Sequence, residues 1–476
     1  METIQSVIAA IGDFLWGYIL IFALIGCGVL FTVKMRFVQF TNLREMWRLL
    51  FNSRDSVAEV LNGAPNEDHQ RKHISSFQAF VVALASRIGT GNLAGVATAI
   101  SVGGPGAVFW MWLIALIGSA TAFVESTLAQ LYKRKSKDSY IGGPAYYMLF
   151  GLGKRWMGVL FAIIITATFG LANNSVQSNT ICAAWQQAYG IDPVLLGGIL
   201  TIVTIVIVFG GIQRVARFSE AVVPFMAIAY LGVALYVIIT NIIIFPQVMG
   251  LIISEAFNFD SAIGGGLGAT VMQGVKRGLF SNEAGEGSAP NAAATASASH
   301  PVKQGMIQAL GVFTDTLVVC SCTAFIILMG GVDIHASNGI QLTQNALTAQ
   351  IGSIGNPLVA VAILLFAFSS VIGNYYYGEA NIMFITRKKA PMFIYRLMSS
   401  GMVMLGAMMT LDMAWTMIDL MMALITICNL SAIVLLFGQV RRLLDDYLSQ
   451  KRRGISEPVF HKSQMADIAD KLDAWD

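Results

Sequence analysis

Long apolar runs, separated by short polar segments, dominate the hydrophobic pattern of this chain. Most runs reach about 20 residues, the length that a helix needs to cross the hydrocarbon core of a membrane. Basic residues follow several runs directly, at positions where a transmembrane helix would leave the bilayer. The pattern predicts an all-α integral membrane protein with about eleven spans, at residues 14–33, 76–102, 106–132, 156–185, 194–209, 219–240, 262–299, 304–329, 356–385, 392–411 and 414–437.

The second run is interrupted in a way that a lipid-facing helix would not tolerate. Gly89, Thr90, Gly91 and Asn92 follow one another there, and Arg87 precedes them. Each glycine disfavours a helix interior by about 1 kcal/mol relative to alanine, and a cation within a membrane segment is costly. Such a break persists only where it is buried in protein or lines a cavity. We therefore predict a binding site here, with free N–H groups facing an anion and free carbonyls facing a cation.

The seventh run, at 262–299, is also interrupted. It contains many glycines together with Lys276, Arg277, Glu283 and Glu286. One interpretation is a short helix followed by a soluble loop. The interpretation that we favour is a second discontinuous helix, because the small, apolar residues at 289–299 complete a crossing that the alternation of the spans requires.

The two interrupted runs lie five spans apart, so the spans after the first form two five-helix units of opposite orientation. Interruptions at corresponding positions of two halves are typical of a transporter binding site. This organisation predicts one extra N-terminal helix with a basic segment at 1–75, a first repeat at 76–245, a second repeat at 246–438 and a tail at 439–476.

Composition agrees with a membrane location. The 476 residues are 56% hydrophobic and 12% charged, with a mean hydropathy of +0.67, whereas a soluble domain is about 25% charged. The five cysteines lie in apolar runs without paired spacing, and the five histidines lie in polar segments. This distribution gives no indication of a disulfide framework, a zinc site or a haem site.

The distribution of lysine and arginine tests the alternation of the spans. With the N-terminus outside, 27 of the 30 Lys and Arg residues fall in segments on the inner side, as the positive-inside rule expects. The other three lie in or beside the interrupted runs. The inner segments are 34–75, 133–155, 214–217, 303, 387–396 and 441–471. The sequence thus predicts an external N-terminus and a cytoplasmic C-terminus.

Other classes of membrane protein find little support. The glycines and Lys154 at 151–154 fail the spacing of a phosphate-binding loop, so ATP-driven pumping by this chain is not expected. An enzyme would need a nucleophile, a metal or an acid–base pair at membrane depth, and none stands out. A channel usually builds its selectivity filter from several symmetric subunits. Here two pseudo-symmetric halves lie within one chain, which argues against a channel.

Several stretches carry a family resemblance. The stretches SRIGTGNLAGVATAI at 86–100 and GVKRGLFSNEAGEGSAP at 274–290 resemble the signature segments of the sodium:alanine symporters, or alanine or glycine:cation symporters. GGPGAVFWMW at 103–112 and FAFSS…YYYGE at 366–379 fit the same family. The resemblance covers nearly the whole chain.

The resemblance implies a leucine-transporter-like fold with a five-plus-five inverted repeat, in a bacterial or archaeal cytoplasmic membrane. It also implies uptake of a small neutral amino acid, most readily alanine or glycine, coupled to sodium or in some members to protons. It does not choose among alanine, glycine, serine and glutamine, between L and D forms, or among stoichiometries and oligomeric states. No nucleic acid and no obligate protein partner are expected beside the lipid bilayer.

An amino acid of this kind needs donors for its carboxylate and acceptors for its ammonium group. We expect the backbone N–H groups around Gly91, with the side chains of Thr90 and Asn92, to bind the carboxylate. Gly89 and Gly91 let the substrate approach the backbone closely. Local capping of the half-helix by Thr90 and Asn92 is the alternative, and it is compatible with binding.

Carbonyls freed at the two breaks, with an amide side chain, would accept the ammonium group. Gln177 and Gln273, the latter beside Gly274, are the candidate amides. Phe169 and Gln177 lie on one helical face of span 4. That face either lines the substrate chamber or holds helices together.

Sodium is a hard cation that prefers several oxygen ligands. Ser369 and Ser370 in span 9 offer two adjacent hydroxyl groups. The leucine-transporter resemblance implies that they face the carbonyls of Ala85 and Ile88, together with the carbonyl of Phe366. The alternative is that both serines bond to carbonyls one turn back in their own helix.

Overall fold

The structure is a computed structural model that describes residues 2–51, 74–136, 140–209, 212–258 and 266–476. Within these ranges the chain is almost entirely helical, as the apolar pattern predicts. Part of the basic segment 34–75, Lys137 and the glycines at 264 and 265 lie outside the described residues, as do the side chains of the loop at 210–217.

The N-terminal span and the first predicted repeat consist of helices, several of them continued by a π-helical turn. They are α1 (Glu2–Phe14), a π turn (Leu15–Leu20), α2 (Ile21–Lys34), α3 (Val38–Thr41), α4 (Leu43–Phe51), α5 (Ser76–Arg87), a π turn (Gly91–Gly95), α6 (Val96–Gly103), α7 (Ala107–Leu131), α8 (Pro144–Tyr146), a π turn (Tyr147–Gly151), α9 (Arg155–Ala167), a π turn (Thr168–Asn173), α10 (Asn174–Tyr189), α11 (Pro193–Val208) and α12 (Ile212–Thr240). A small antiparallel hairpin, β1 (Arg134–Lys135) and β2 (Tyr140–Ile141), follows α7.

The second predicted repeat and the tail continue in the same way. Their elements are α13 (Phe245–Ala256), α14 (Gly266–Asn282), α15 (Ala289–Ala293), α16 (Pro301–Val312), a π turn (Phe313–Cys320), α17 (Ser321–Met329), α18 (Ile340–Ile351), a 3-10 turn (Gly352–Ile354), α19 (Gly355–Ile385), α20 (Lys389–Met408), α21 (Leu411–Arg452) and 3-10 turns at Lys462–Met465 and Ala469–Lys471.

Six of the described helices are long and apolar enough to cross a membrane, or up to eight if each of two bent pairs forms one span. The multi-span, all-helical architecture is therefore confirmed, and the count of eleven stays a prediction. Two helices were not expected from the pattern: α18 lies in a segment predicted as a loop, and α13 turns by 104° from the end of α12.

Both predicted interruptions are present. The pair Ser76–Arg87 and Gly91–Gly103 is bent by 48° at the glycine-rich break. The second break separates α14 from α15, where Glu283, Gly285 and Gly287 adopt positive φ angles. The residues at 283–296 are buried, which favours a discontinuous helix over a short helix with a soluble loop.

Small residues allow the spans around the second break to pack closely. A methyl group on Gly274 would lie 2.5 Å from the carbonyl oxygen of Ala107, and one on Gly278 would lie 2.6 Å from Ile114. Contacts of this kind are common where membrane helices associate, because lipid supplies no hydrophobic drive for association. The helix α14 is thus fixed against α7.

The predicted inner segments gather on one face of the described chain, which we call the tail face. Arg48 and Lys303 both pair with Glu457 of the tail. The hairpin meets the tail where the backbone N–H of Lys135 donates to Asp473 (2.9 Å). Segments far apart in sequence therefore share one side, as the alternation of the spans requires.

Candidate functional site

The first break exposes backbone groups that nearby side chains then satisfy. Helix α5 ends at Arg87, and Ile88 adopts an extended conformation with ψ of 95°. The N–H of Gly89 donates to Asn92 Oδ1 at 2.9 Å. The capping alternative for Asn92 is therefore correct, and its capping oxygen holds the start of the second half-helix.

The carbonyl side of the break meets the two serines of α19. Ser370 Oγ lies 3.0 Å from the carbonyl oxygen of Ala85 and 3.2 Å from that of Ile88. Ser369 Oγ lies 3.4 Å from Ala85 O. Both hydroxyls also lie within 3.2 Å of Phe366 O in their own helix. The structure thus brings all five candidate sodium ligands together. The serines face the carbonyls of span 2 and also bond to a carbonyl one turn back in their own helix, so both sequence-based alternatives hold.

On the other side of the break, an amide takes the place that was predicted for an anion. The N–H of Thr90 donates to Gln177 Oε1 at 2.9 Å, and Gln177 Nε2 donates to Asn173 Oδ1 at 2.8 Å. A methyl group on Gly89 would lie 2.2 Å from Ser370 Oγ and 2.8 Å from Gln177 Oε1. Gly89 is therefore enclosed by both candidate subsites.

The hydroxyl of Thr90 is buried and has no hydrogen-bond partner among the described residues. An unpaired buried hydroxyl costs about 1–3 kcal/mol. Phe169 lies one helix away, edge-on to Tyr377 at 5.5 Å between ring centroids. The groups of span 4 that lie beside the break are the amides of Gln177 and Asn173.

The structure does not bring Gln273 and Gly274 to this cluster. A methyl group on Gly103 would lie 2.9 Å from Gln273 Cβ, so Gln273 lies at the far end of α6. Ser281 is a residue of α14 that lies beside Gly91. At about 1.5 Å per residue, Gln273 is roughly 12 Å along α14 from Ser281. The second break comes later in span 7 than these two residues, which is why the sequence-based assignment misplaced them.

The residues of span 7 that do approach the first break are Phe280 and Ser281. A methyl group on Gly91 would lie 3.0 Å from Ser281 Cα and 3.1 Å from Phe280 Cδ1. Phe280 packs edge-on against Trp415 at 4.9 Å between centroids. Their position immediately before the second break is a signal that sequence reasoning could have used.

A buried carboxylate network also adjoins the first break. Asp315 accepts hydrogen bonds from Asn92 Nδ2 (2.7 Å), Ser281 Oγ (2.6 Å) and Thr316 Oγ1 (2.9 Å). The side chain that caps Gly89 is thus anchored in turn to span 8. The side-chain donors around Asp315 are all neutral.

Comparison with known proteins identifies the family. The model of the sodium:alanine symporter family matches residues 1–462. The chain belongs to the sodium:alanine symporter family. It is 49% identical over 462 residues to the probable sodium/glutamine symporter GlnT of Bacillus subtilis, covering 97% of this chain and 94% of that protein. It is 47% identical over 472 residues to the amino-acid carrier protein AlsT of the same organism, covering 99% and 98%.

The solved structure of MhsT in complex with L-phenylalanine has the same fold. Its TM-score is 0.51 at 15% sequence identity, and the match covers 84% of this chain and 93% of that one. The expected leucine-transporter-like fold with discontinuous helices is therefore confirmed. The family match confirms the expectation of a membrane transporter.

The remaining ionised groups of the symporter pair in ways that the sequence did not indicate. Arg277 makes two hydrogen bonds of 2.9 Å to Asp419, which Lys276 also approaches at 3.2 Å. Glu379 pairs with Arg396 at 2.9 Å. Within the described residues, Lys276, Arg277 and Arg87 make no ion pair with Glu125, Asp315 or Glu379.

The two breaks are linked by a carboxylate. Glu283 accepts hydrogen bonds from Ser86 (2.7 Å) beside the first break and from Ser288 (2.5 Å) within the second. Ser86 also lies 2.7 Å from Asn374 Oδ1 of α19. A displacement of either discontinuous helix must therefore rearrange this junction.

Proposed function

We propose that this protein takes up a small neutral amino acid, alanine or glycine, by coupling it to the influx of Na⁺ through alternating access. The observation that carries the proposal is the convergence of Ser369 and Ser370 on the carbonyls that the break in span 2 sets free. We infer a location in the cytoplasmic membrane with the tail face inside, since the basic residues collect there.

The ion site follows from the chemistry of its donors. The carbonyls of Ala85, Ile88 and Phe366 and the two hydroxyls supply five oxygens, with no sulfur or imidazole. Hard cations bind oxygen at about 2.3–2.6 Å, which separates neighbouring ligand oxygens by about 3.3–3.7 Å. The oxygen–oxygen distances of 2.8–3.4 Å found here need only a small expansion to hold Na⁺.

The substrate site lies on the other side of the same break. In this conformation Gln177 Oε1 accepts the N–H of Thr90, as a carboxylate oxygen would. We propose that the substrate carboxylate displaces this amide oxygen and also accepts a hydrogen bond from the hydroxyl of Thr90. The displaced Gln177 amide then offers its oxygen to the ammonium group.

The size of the substrate is limited by Phe280 and Trp415, which pack beside Gly91 and Gly95. Residues 84–100 are all buried, so ligands reach the break only after spans move. We propose that the two discontinuous helices rock against the scaffold and release both ligands to the tail face.

Uptake of radiolabelled L-alanine into proteoliposomes tests the proposal. We expect accumulation with an inward sodium gradient, none when potassium replaces sodium at matched pH, and competition by excess glycine. Accumulation driven only by a proton gradient would change the coupling ion. Competition by glutamine but not by glycine would favour the substrate named for GlnT. No accumulation under any gradient would contradict the symporter proposal.

Ser370→Ala tests the ion site. Loss of one ligand to a charged group costs about 1.5–3 kcal/mol, so we expect the sodium concentration for half-maximal uptake to rise about tenfold or more. Ser431→Ala is the matched control, because Ser431 is exposed and bonds only within its own helix. An unchanged sodium dependence in Ser370→Ala would place the ion elsewhere.

A further inference from the structure

A large basic cavity opens on the tail face, apart from the transport site. Its volume is about 920 Å³, and it lies between the end of α19, the start of α20 and the hairpin after α7. Six charged side chains line it, five of them basic: Lys135, Glu379, Arg387, Lys388, Lys389 and Arg396.

One of the basic side chains is already neutralised. Arg396 pairs with Glu379 at 2.9 Å and donates to the hydroxyl of Tyr375 at 3.0 Å. The other four cations make no ion pair with any residue in the part of the chain that the structure describes. Four like charges around one concave surface repel one another, so a multiply charged or phosphate-bearing anion would be stabilised there.

The other wall of the cavity is apolar. Met383, Met392 and Phe393 line it, and Phe393 is 52% exposed. Its ring meets Phe209 edge-on at 6.0 Å between centroids, and Phe209 is exposed as well. Both aromatic residues lie at the ends of apolar helices, where a membrane helix meets lipid. A small hydrophilic anion gains nothing from such a wall, whereas an acyl chain does.

We propose that this cavity binds the headgroup of an anionic phospholipid. The phosphate would lie among Lys135, Arg387, Lys388 and Lys389, and the acyl chains would run along Phe393 and Phe209. Basic clefts between membrane helices on the side of the anionic leaflet suit such headgroups. Each lysine or arginine near an anionic surface adds to the attraction, so four of them favour anionic over zwitterionic lipid.

Native mass spectrometry of the full chain in a neutral detergent tests the proposal. The protein is titrated with phosphatidylglycerol and, separately, with phosphatidylcholine. We expect wild-type protein to retain phosphatidylglycerol at least tenfold more strongly, and the Arg387→Gln/Lys388→Gln/Lys389→Gln variant to lose that preference. The Arg441→Gln/Arg452→Gln/Arg453→Gln variant, which also removes three cations, is the matched control. These exposed arginines lie outside the cavity lining, so this variant should keep the preference.

Folding of each variant is checked by its melting temperature and by size-exclusion chromatography. If the triple variant fails to fold, Lys135→Gln alone should weaken phosphatidylglycerol binding severalfold. Equal binding of both lipids by wild-type protein, or unchanged selectivity in the cavity variants, would overturn the proposal. Displacement of the lipid by inorganic phosphate at equal concentration would also overturn it, because the site would then recognise a free phosphate ion.

Discussion

At the scale of single residues, Gly89 determines whether the two proposed ligand sites can lie side by side. Its Cα faces Ser370 on one side and Gln177 on the other, with no room for a side chain. Glycine at this position therefore does more than break the helix: it lets Ser370 and Gln177 approach the backbone closely. The proposed ion ligands and the proposed carboxylate donors share one backbone segment, so we expect movement of one subsite to displace the other.

We expect Gly89→Ala to abolish sodium-driven uptake. A methyl group would lie 2.2 Å from Ser370 Oγ, so the serine or the break itself must shift. Uptake into proteoliposomes measures the effect, and the melting temperature shows whether the protein is folded. Gly198→Ala is the control, because no atom lies within 4 Å of the added methyl group. Normal uptake by folded Gly89→Ala protein would remove the first break from the transport site.

At the scale of helices, three spans meet at the first break through one buried carboxylate. Asn92 caps Gly89, and its amide nitrogen donates to Asp315 of span 8, which also accepts from Ser281 of span 7. Such a network is stable only when every member has a partner. It connects the two discontinuous helices, and we expect it to keep the half-helix of span 2 in register with span 7.

We expect Asp315→Asn to lower uptake at least tenfold and to raise the sodium concentration for half-maximal uptake. The amide supplies one acceptor oxygen where the carboxylate supplies two, so one of its donors, such as Asn92, is left unpaired at a cost of about 1–3 kcal/mol. Thr314→Val is the control, because the Thr314 hydroxyl bonds to Leu310 O in its own helix. Wild-type kinetics in Asp315→Asn would show that the network is not needed for transport.

At the scale of the whole molecule, the tail ties distant inner segments together. The N–H of Phe460 donates to Ser299 O at 2.9 Å, just after the second break, and Trp475 donates to the end of α7. Glu45 of α4 accepts hydrogen bonds from Arg48, Tyr447 and Lys451. The tail thus holds these segments together on the tail face.

We expect Glu45→Gln to destabilise the protein by about 1–2 kcal/mol at pH 7. Burial raises the pKa of Glu45, but hydrogen bonds from Arg48, Lys451 and Tyr447 outweigh it and lower the pKa to about 2. Because the folded pKa lies below the ordinary value of 4.5, this stabilisation is complete above pH 4.5 and is lost as the pH falls towards 2.

Melting temperatures of wild type and Glu45→Gln between pH 7 and pH 3 measure this. The difference between them should be constant down to about pH 5 and then shrink. Asp467→Asn, which removes an exposed pair with Arg442, should change the melting temperature little. A wild-type advantage that persists unchanged at pH 3 would contradict the role of the ionised Glu45.

The sequence by itself determined the class of the protein, the two interruptions and the side on which the basic residues lie. Each depends on local composition: apolar length, glycine within an apolar run, and the cost of charge in lipid. Apart from the contacts of Ser369 and Ser370 that the family resemblance implied, the tertiary structure alone decided which groups meet. Gln273 and Ser281 belong to the same apolar run, yet Gln273 lies about two turns away, at the far end of α6. Asp315 belongs to another span, yet it contacts Asn92. Side-chain contacts across 200 or more residues depend on how whole helices pack, and neither spacing nor composition encodes that.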